Sequence, residues 1–211
     1  LVIGGKAEGL IRLQELQLPV PPFVAVPVGA EIDDAAIAPL GEPLAVRSSA
    51  VGEDAADRSA AGQYETLLGV TRANLDEAIA RVRSSTDRAQ AYGASGEVAV
   101  VVQQQVPATR AGVAFSRDPV SGADEVVIEC ALGGGEAVVS GEVTPDRYRV
   151  AGDRVHARAA GAVRTLRDDE ARDVADLVRR AEAGFGRPVD VEFCFEGRTL
   201  WLVQCRPITT V

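Results

Sequence analysis

The pattern of residues 189–209, VDVEFCFEGRTLWLVQCRPIT, narrows the possible folds of this chain more than any other feature. It reads as two strands around a glycine-containing turn. Side chains alternate along a strand, so Val189, Val191, Phe193 and Phe195 share one face, and Asp190 and Glu192 share the other. Gln204 and Arg206 also lie on one face. Segregating apolar from polar requires Glu192 opposite Gln204 and Asp190 opposite Arg206. A two-residue Gly-Arg turn suits type II′ chemistry but by itself mixes the faces. A three-residue loop, Gly197-Arg198-Thr199, or a bulge keeps them apart, and burial makes segregation the stronger constraint. The polar side then gathers two acids, an amide and a guanidinium. Glu192 and Gln204 offer oxygens suited to Mg²⁺, and Arg206 suits a phosphoryl group. The alternative is a surface hairpin held by an Asp190–Arg206 salt bridge.

The remaining segments surround this hairpin with helices and further strands. Residues 1–16 are expected to form a short strand, turn at Gly4-Gly5 and enter a helix carrying Leu10, Leu13 and Leu16, which Pro19, Pro21 and Pro22 stop. FVAVPV and PLAVRSSA read as strands, joined by a connector over 29–43 with a short helix. Residues 51–63 read as a mobile loop. Asn74 is the expected N-cap of a helix whose apolar stripe is Leu75, Ala78, Ile79 and Val82. EVAVVVQQQV, GVAFSR and EVVIECAL read as successive strands, followed by a glycine loop and more strand. DDEARDVADLVRRAEAGFG is a helix capped by Asp168 or Asp169, with Val174, Leu177, Val178 and Ala181 inward and Gly184 or Gly186 at its end. Without a strict βαβ rhythm, the order favours an α+β fold. A length of 211 residues allows one large domain or two small lobes. Aromatics make up only 4% of the chain, so aliphatic residues must fill the core.

A formal net charge of −9 argues against non-specific binding to nucleic acid or an anionic membrane. With no ~20-residue apolar run and no signal-peptide pattern, a cytoplasmic protein is expected. Cys130, Cys194 and Cys205 lack CxxC spacing, so reduced thiols are expected rather than a zinc site. Lys6 is the only lysine beside many arginines, which suggests that GGKAEG needs an amine; chance is the alternative. Two glycines and an amine at a helix start favour phosphate, although the spacing is not that of a Walker motif. VRSSA ends a strand with Arg47, Ser48 and Ser49, either phosphate donors or an ordinary turn. ALGGGEAVVSG brings three glycines and Glu136, either a ligand loop or a flexible hairpin.

In order along the chain, GGKAEGL, LAVRSSAVGED, SAAGQYET, VVVQQQV, AGVAFSRDPVSG, IECALGGGEAVVSGEVTPDRYRV and DVEFCFEGRTLWLVQCRPIT resemble the nucleotide-binding domain of the phosphoenolpyruvate synthase, pyruvate phosphate dikinase and rifampin phosphotransferase family. The resemblance covers most of the chain, and its last two stretches are the most specific. It implies an ATP-grasp fold with ATP held between two lobes, approximately 1–102 and 103–211. It implies that Lys6 and Arg47 contact the ATP phosphates, with Ser48 beside them. The loop Ser59-Ala60-Ala61-Gly62-Gln63 would close over those phosphates. Gln103, Gln105 and Val106 would form the adenine hinge, and Glu136 and Asp190 would join the cofactor-binding set. Glu192 and Gln204 would ligate Mg²⁺, and Arg206 would steady the transferred phosphate. The implied activity is ATP- and Mg²⁺-dependent phosphoryl transfer to a separate acceptor, a partner-protein histidine or a small molecule. A nucleotide-binding module without turnover is the alternative.

The chain departs from the family at Gln105, where Met is usual, and at Ala60, where Phe is common. The stretches from Lys6 to Arg47 and from Arg149 to Asp190 are shorter than in the large dikinases. No phosphohistidine or phosphoenolpyruvate/pyruvate domain is expected within these residues, and no TSHA-type motif occurs. The single histidine, His156, reads as a solvated strand or loop residue.

Overall fold

A computed structural model describes residues 2–50, 65–90, 98–134 and 143–208, with the side chains of 86–90 excepted. The expected loop over 51–63 and most of the glycine loop, Glu136 included, lie outside the described residues. The chain divides into two compact units, Leu1–Gly9 with Pro21–Gln105, and Leu10–Val20 with Val106–Val211. The boundary expected after residue 102 thus falls after Gln105, and Leu10–Val20, expected in the first lobe, belong with the second unit. No described helix is long and apolar enough to cross a membrane.

The first unit is a four-stranded antiparallel sheet. Its strands are β1 (Phe23–Val26), β2 (Leu44–Ala50), β3 (Thr66–Val70) and β4 (Val98–Gln104), in the order β1-β4-β2-β3. Leu44 and Val46 of β2 and Val100 and Val102 of β4 point to one face. There they pack with Leu75, Ala78, Ile79 and Val82 of helix α3 (Leu75–Gln90), the stripe expected from its period. Asn74 does not cap α3 directly. It lies in a 3-10 turn, Arg72–Asn74, and its Oδ1 accepts the Thr71 N–H at 2.7 Å, so the cap sits one turn earlier. A four-residue helix, α2 (Asp34–Ile37), occupies the 29–43 connector.

The expected N-terminal strand does not form among the described residues. Val28 N–H donates to Val2 O at 3.0 Å, and helix α1 (Gly4–Glu15) begins at the glycine itself. Gly4 has φ +72°, and a Cβ there would stand 2.2 Å from Ser49 O. Only glycine lets the helix start this close to the end of β2.

The second unit is a six-stranded antiparallel sheet in the order β10-β9-β5-β6-β7-β8. The strands are β5 (Arg110–Phe115), β6 (Val126–Leu132), β7 (Asp146–Ala151), β8 (Arg154–Arg158), β9 (Val189–Glu196) and β10 (Thr199–Pro207). One face carries Ile128, Cys130, Tyr148, Val191, Phe193 and Leu202 against Val174, Val178 and Ala181 of helix α4 (Asp168–Phe185) and against Leu13 and Leu18. Leu16 packs closely on α4, since a Cβ on Gly184 would lie 2.3 Å from Leu16 Cδ1. Arg167, not Asp168 or Asp169, occupies the N-cap of α4, and the Glu170 carboxylate accepts its N–H at 2.9 Å. The two aspartates stand in the first turn, where the helix dipole favours them. Gly186, at φ +67°, ends the helix.

Asp146 ties the crossover to the sheet. Its Oδ1 accepts Ala160 N–H at 2.6 Å, and its Oδ2 accepts Thr165 N–H at 2.6 Å and Thr165 Oγ1 at 2.9 Å. Burial alone would raise its pKa, but these hydrogen bonds outweigh it and hold the carboxylate below its ordinary value of 3.8. A lowered folded-state pKa means that the contribution to stability is complete above the ordinary value and is lost as pH falls through the lowered one. Asp146→Asn should therefore cost about 1–3 kcal/mol near neutrality. In thermal melts followed by circular dichroism, that gap should shrink below about pH 4. An equal gap at every pH would contradict this account.

Candidate active site

The hairpin of β9 and β10 meets both demands posed by its sequence. Thr199 pairs with Glu196, so the turn holds only Gly197 (φ +59°) and Arg198, and the expected three-residue loop does not form. A bulge between Leu202 and Gln204 then shifts the register by one residue. Glu192 pairs with Gln204, and Asp190 with Arg206. The extra residue, Val203, is the reason tight turn chemistry and segregated faces coexist.

The face opposite α4 therefore carries a polar floor. Gln204 is buried and Glu192 half-buried, on adjacent strands, with Val113 of β5 beside Glu192. Two oxygen-bearing side chains suit Mg²⁺, which usually takes one or two protein carboxylates and completes its shell with phosphate and water. No cluster of three or more His, Cys, Asp or Glu occurs among the described residues. A phosphate-assisted ion therefore fits this donor set better than an all-protein cage does. Asp190 Oδ2 accepts Arg206 Nε at 2.8 Å; the arginine side chain is 49% exposed and the aspartate 12%. The expected salt bridge thus exists alongside the metal-type pair, and Asp190, expected among the cofactor ligands, orients Arg206.

Within the first unit, Ala7 N–H donates to Ser49 Oγ at 3.0 Å, which seats the start of α1, with Lys6, against the end of β2. Arg47 lies two residues before Ser49 on the same face, and Gln103 pairs across from Ala45 on that face. Ser48, expected beside Arg47, points with Leu44 and Val46 to the α3 side. Strand alternation from Arg47 would have selected Ser49 instead. Gln103 is 3% exposed, and its Nε2 has no hydrogen-bond partner among the described residues. A buried amide of this kind calls for an acceptor, so the residue fits a ligand contact. Gln105 fits less well: its N–H donates to Pro43 O at 2.9 Å, and its Oε1 accepts Gly69 N–H at 2.7 Å. Val106 opens the second unit, where its carbonyl accepts Ala108 N–H at 2.8 Å. Gly62, Gln63 and Glu136 lie outside the described residues.

Two further residues share the floor without having been singled out. Trp201, the only tryptophan, pairs with Cys194 one pleat from Glu192. Glu129 lies in the same transverse row, beyond Val113. Burial pushes the Cys194 thiol up to about 12 and the Cys130 thiol up to about 11, which disfavours the nucleophilic thiolate at both, and Cys205 is buried as well. His156 is exposed on β8, four strands from β9.

Residues 28–162 and 154–211 match the family model described as pyruvate phosphate dikinase, AMP/ATP-binding domain. A probable phosphoenolpyruvate synthase of Archaeoglobus fulgidus is 37% identical over 80% of this chain and 27% of its own length. A rifampicin phosphotransferase of Streptomyces sviceus is 38% identical over 79% of this chain and 23% of its own. The chain thus spans about a quarter of these relatives. Among solved structures, D-alanine–D-alanine ligase of Bacillus anthracis, complexed with ATP, superposes with a TM-score of 0.57 at 10% identity, over 97% of this chain and 55% of the other.

Proposed function

Because the chain belongs to the AMP/ATP-binding domain family of pyruvate phosphate dikinase and has the ATP-grasp fold, we propose that it moves a phosphoryl group from Mg²⁺-bound ATP to a separate acceptor. That acceptor is a histidine on a partner protein or a small molecule. The observation that carries the reading is the pairing of Glu192 with Gln204 beside an Arg206 oriented by Asp190. Lys6 and Arg47 would hold the polyphosphate, and Gln103 would donate from Nε2 to the nucleotide. Mg²⁺, held by Glu192 and Gln204, would neutralise phosphate charge. Arg206 would follow the transferred group, presenting donors where charge develops. This chemistry is positioning and electrostatics, so it needs no covalent nucleophile from the chain.

Trp201 provides a direct readout, because it shares the face of Glu192 and Gln204 and is the only indole. Adding Mg²⁺ and ATP should change its emission. In Glu192→Gln the Mg²⁺-dependent part of binding should weaken at least about tenfold. The fold should survive, because the apolar face of β9 is untouched. Unchanged metal dependence would leave only the salt-bridged surface hairpin. Binding without ATP consumption, across candidate acceptors, would favour a nucleotide-binding module that does not turn over.

A further inference from the structure

Residues 147–167, RYRVAGDRVHARAAGAVRTLR, contain six arginines and one acid, in a chain whose net charge is −9. The fold concentrates part of this charge. Arg147 pairs with Arg158 across β7 and β8, Arg149 with His156, and Ala151 with Arg154. All five basic side chains therefore share one sheet face. That face is the one bearing Glu192, because the transverse row runs Gln204, Glu192, Val113, Glu129, Arg147, Arg158. Arg147 lies 3.8 Å from Glu129, and Arg149 binds Glu125 at 2.8 Å and Asp118 at 3.0 Å. Arg154 and Arg158 are exposed and make no ion pair among the described residues. They stand on β8, whose outer edge pairs with no described strand.

We infer that this face of β7 and β8 is a docking surface for an acidic partner protein, and that Arg154, His156 and Arg158 form its contact stripe. The inference rests on the phosphotransfer reading for its purpose. A protein seated on the stripe lies over the sheet face of Glu192, four strand spacings or about 19 Å from β9. An acceptor group on that protein could reach the floor. Charge on an edge strand also blunts edge-to-edge aggregation, but acids would serve that end equally and predominate elsewhere in this chain. With Arg147 and Arg149 engaged by Glu129, Glu125 and Asp118, the two arginines that make no ion pair among the described residues are too few for a nucleic-acid backbone, where affinity grows with the number of phosphates neutralised. They suit an acidic protein segment, and charge complementarity would speed and orient its encounter.

The test uses the 211-residue chain and the variant Arg154→Gln/His156→Gln/Arg158→Gln, which removes the stripe at exposed positions. The probes are a twelve-residue peptide of alternating glutamate and threonine, its lysine–threonine counterpart, and a single-stranded oligonucleotide of equal length. Binding is followed by fluorescence anisotropy and by backbone amide shifts. The wild-type chain should bind the acidic peptide, with shifts centred on β8 and an affinity that falls with salt, and the variant should lose about tenfold. No binding of the acidic peptide, equal binding by the variant, shifts centred elsewhere, or preference for the oligonucleotide or the lysine peptide would overturn the proposal. Mg²⁺-dependent ATP binding, read from Trp201 in both proteins, should be identical. Its absence from both would instead defeat the phosphotransfer reading.

Discussion

Replacing Arg110 by alanine is expected to destabilise the second unit by about 3–5 kcal/mol, the cost of stranding one member of a buried ion pair. Arg110 Nη1 donates to Glu170 Oε2 at 2.8 Å and to Thr165 O at 2.9 Å. Its Nη2 donates to Glu170 Oε1 at 3.0 Å and to Gly197 O at 3.1 Å. The guanidinium carbon sits 4.4 Å from the centre of the Phe195 ring. One side chain thus joins β5, the start of α4 and the turn of the β9–β10 hairpin. In Arg110→Ala, Glu170 would remain buried and charged with the largely exposed Arg167 guanidinium, at 3.2 Å, as its remaining cation partner among the described residues, and the transition in a thermal melt should fall by about 10 °C. Replacing both partners, Arg110→Met with Glu170→Leu, should cost much less, because no charge is left uncompensated. If the double replacement proves as damaging as the single one, geometry and packing rather than charge hold this corner.

Arg206→Lys should lose about 2–4 kcal/mol of transition-state stabilisation, by analogy with removal of one oxyanion donor, while ATP binding survives. The structure sharpens the reason. Asp190 binds Arg206 through Nε, so the planar fork is aimed from its stem. Lysine has no equivalent of Nε: it can reach Asp190 or the transferred group with its ammonium, but it lacks the fork that serves both. The loss should therefore fall mainly on kcat and less on KM, as steady-state kinetics with a competent acceptor would reveal. Near-wild-type turnover would remove Arg206 from the mechanism.

Where periodicity is enforced by burial, the sequence sufficed. The stripe of α3, the inward face of α4 and the segregated faces of the hairpin all follow from apolar spacing, because a slip would move every side chain to the wrong side. The pairing of Glu192 with Gln204 is legible for the same reason. Backbone detail was less so. Segregated faces allowed either a three-residue loop or a bulge, and the tight Gly197-Arg198 turn with a bulge at Val203 is what forms; the place of a bulge is set by neighbouring strands rather than by its own residue. The cap of α4 fell on Arg167 because Glu170 is also engaged by Arg110 from β5, a contact that local capping rules cannot see.

The sequence by itself determined which residue types meet at the polar floor and that they belong to a nucleotide-binding family, since both rest on local alternation and on ordered motifs. Alternation along single strands also selects Ser49 over Ser48 beside Arg47 and sets Asp190 opposite Arg206. Tertiary structure alone decided that the buried Gln103 amide has no hydrogen-bond partner among the described residues. It also decided that the arginines of β7 and β8 share the face of Glu192. Each of these depends on pairing between segments distant along the chain, and long-range strand register is a property of the assembled sheet, not of any one strand.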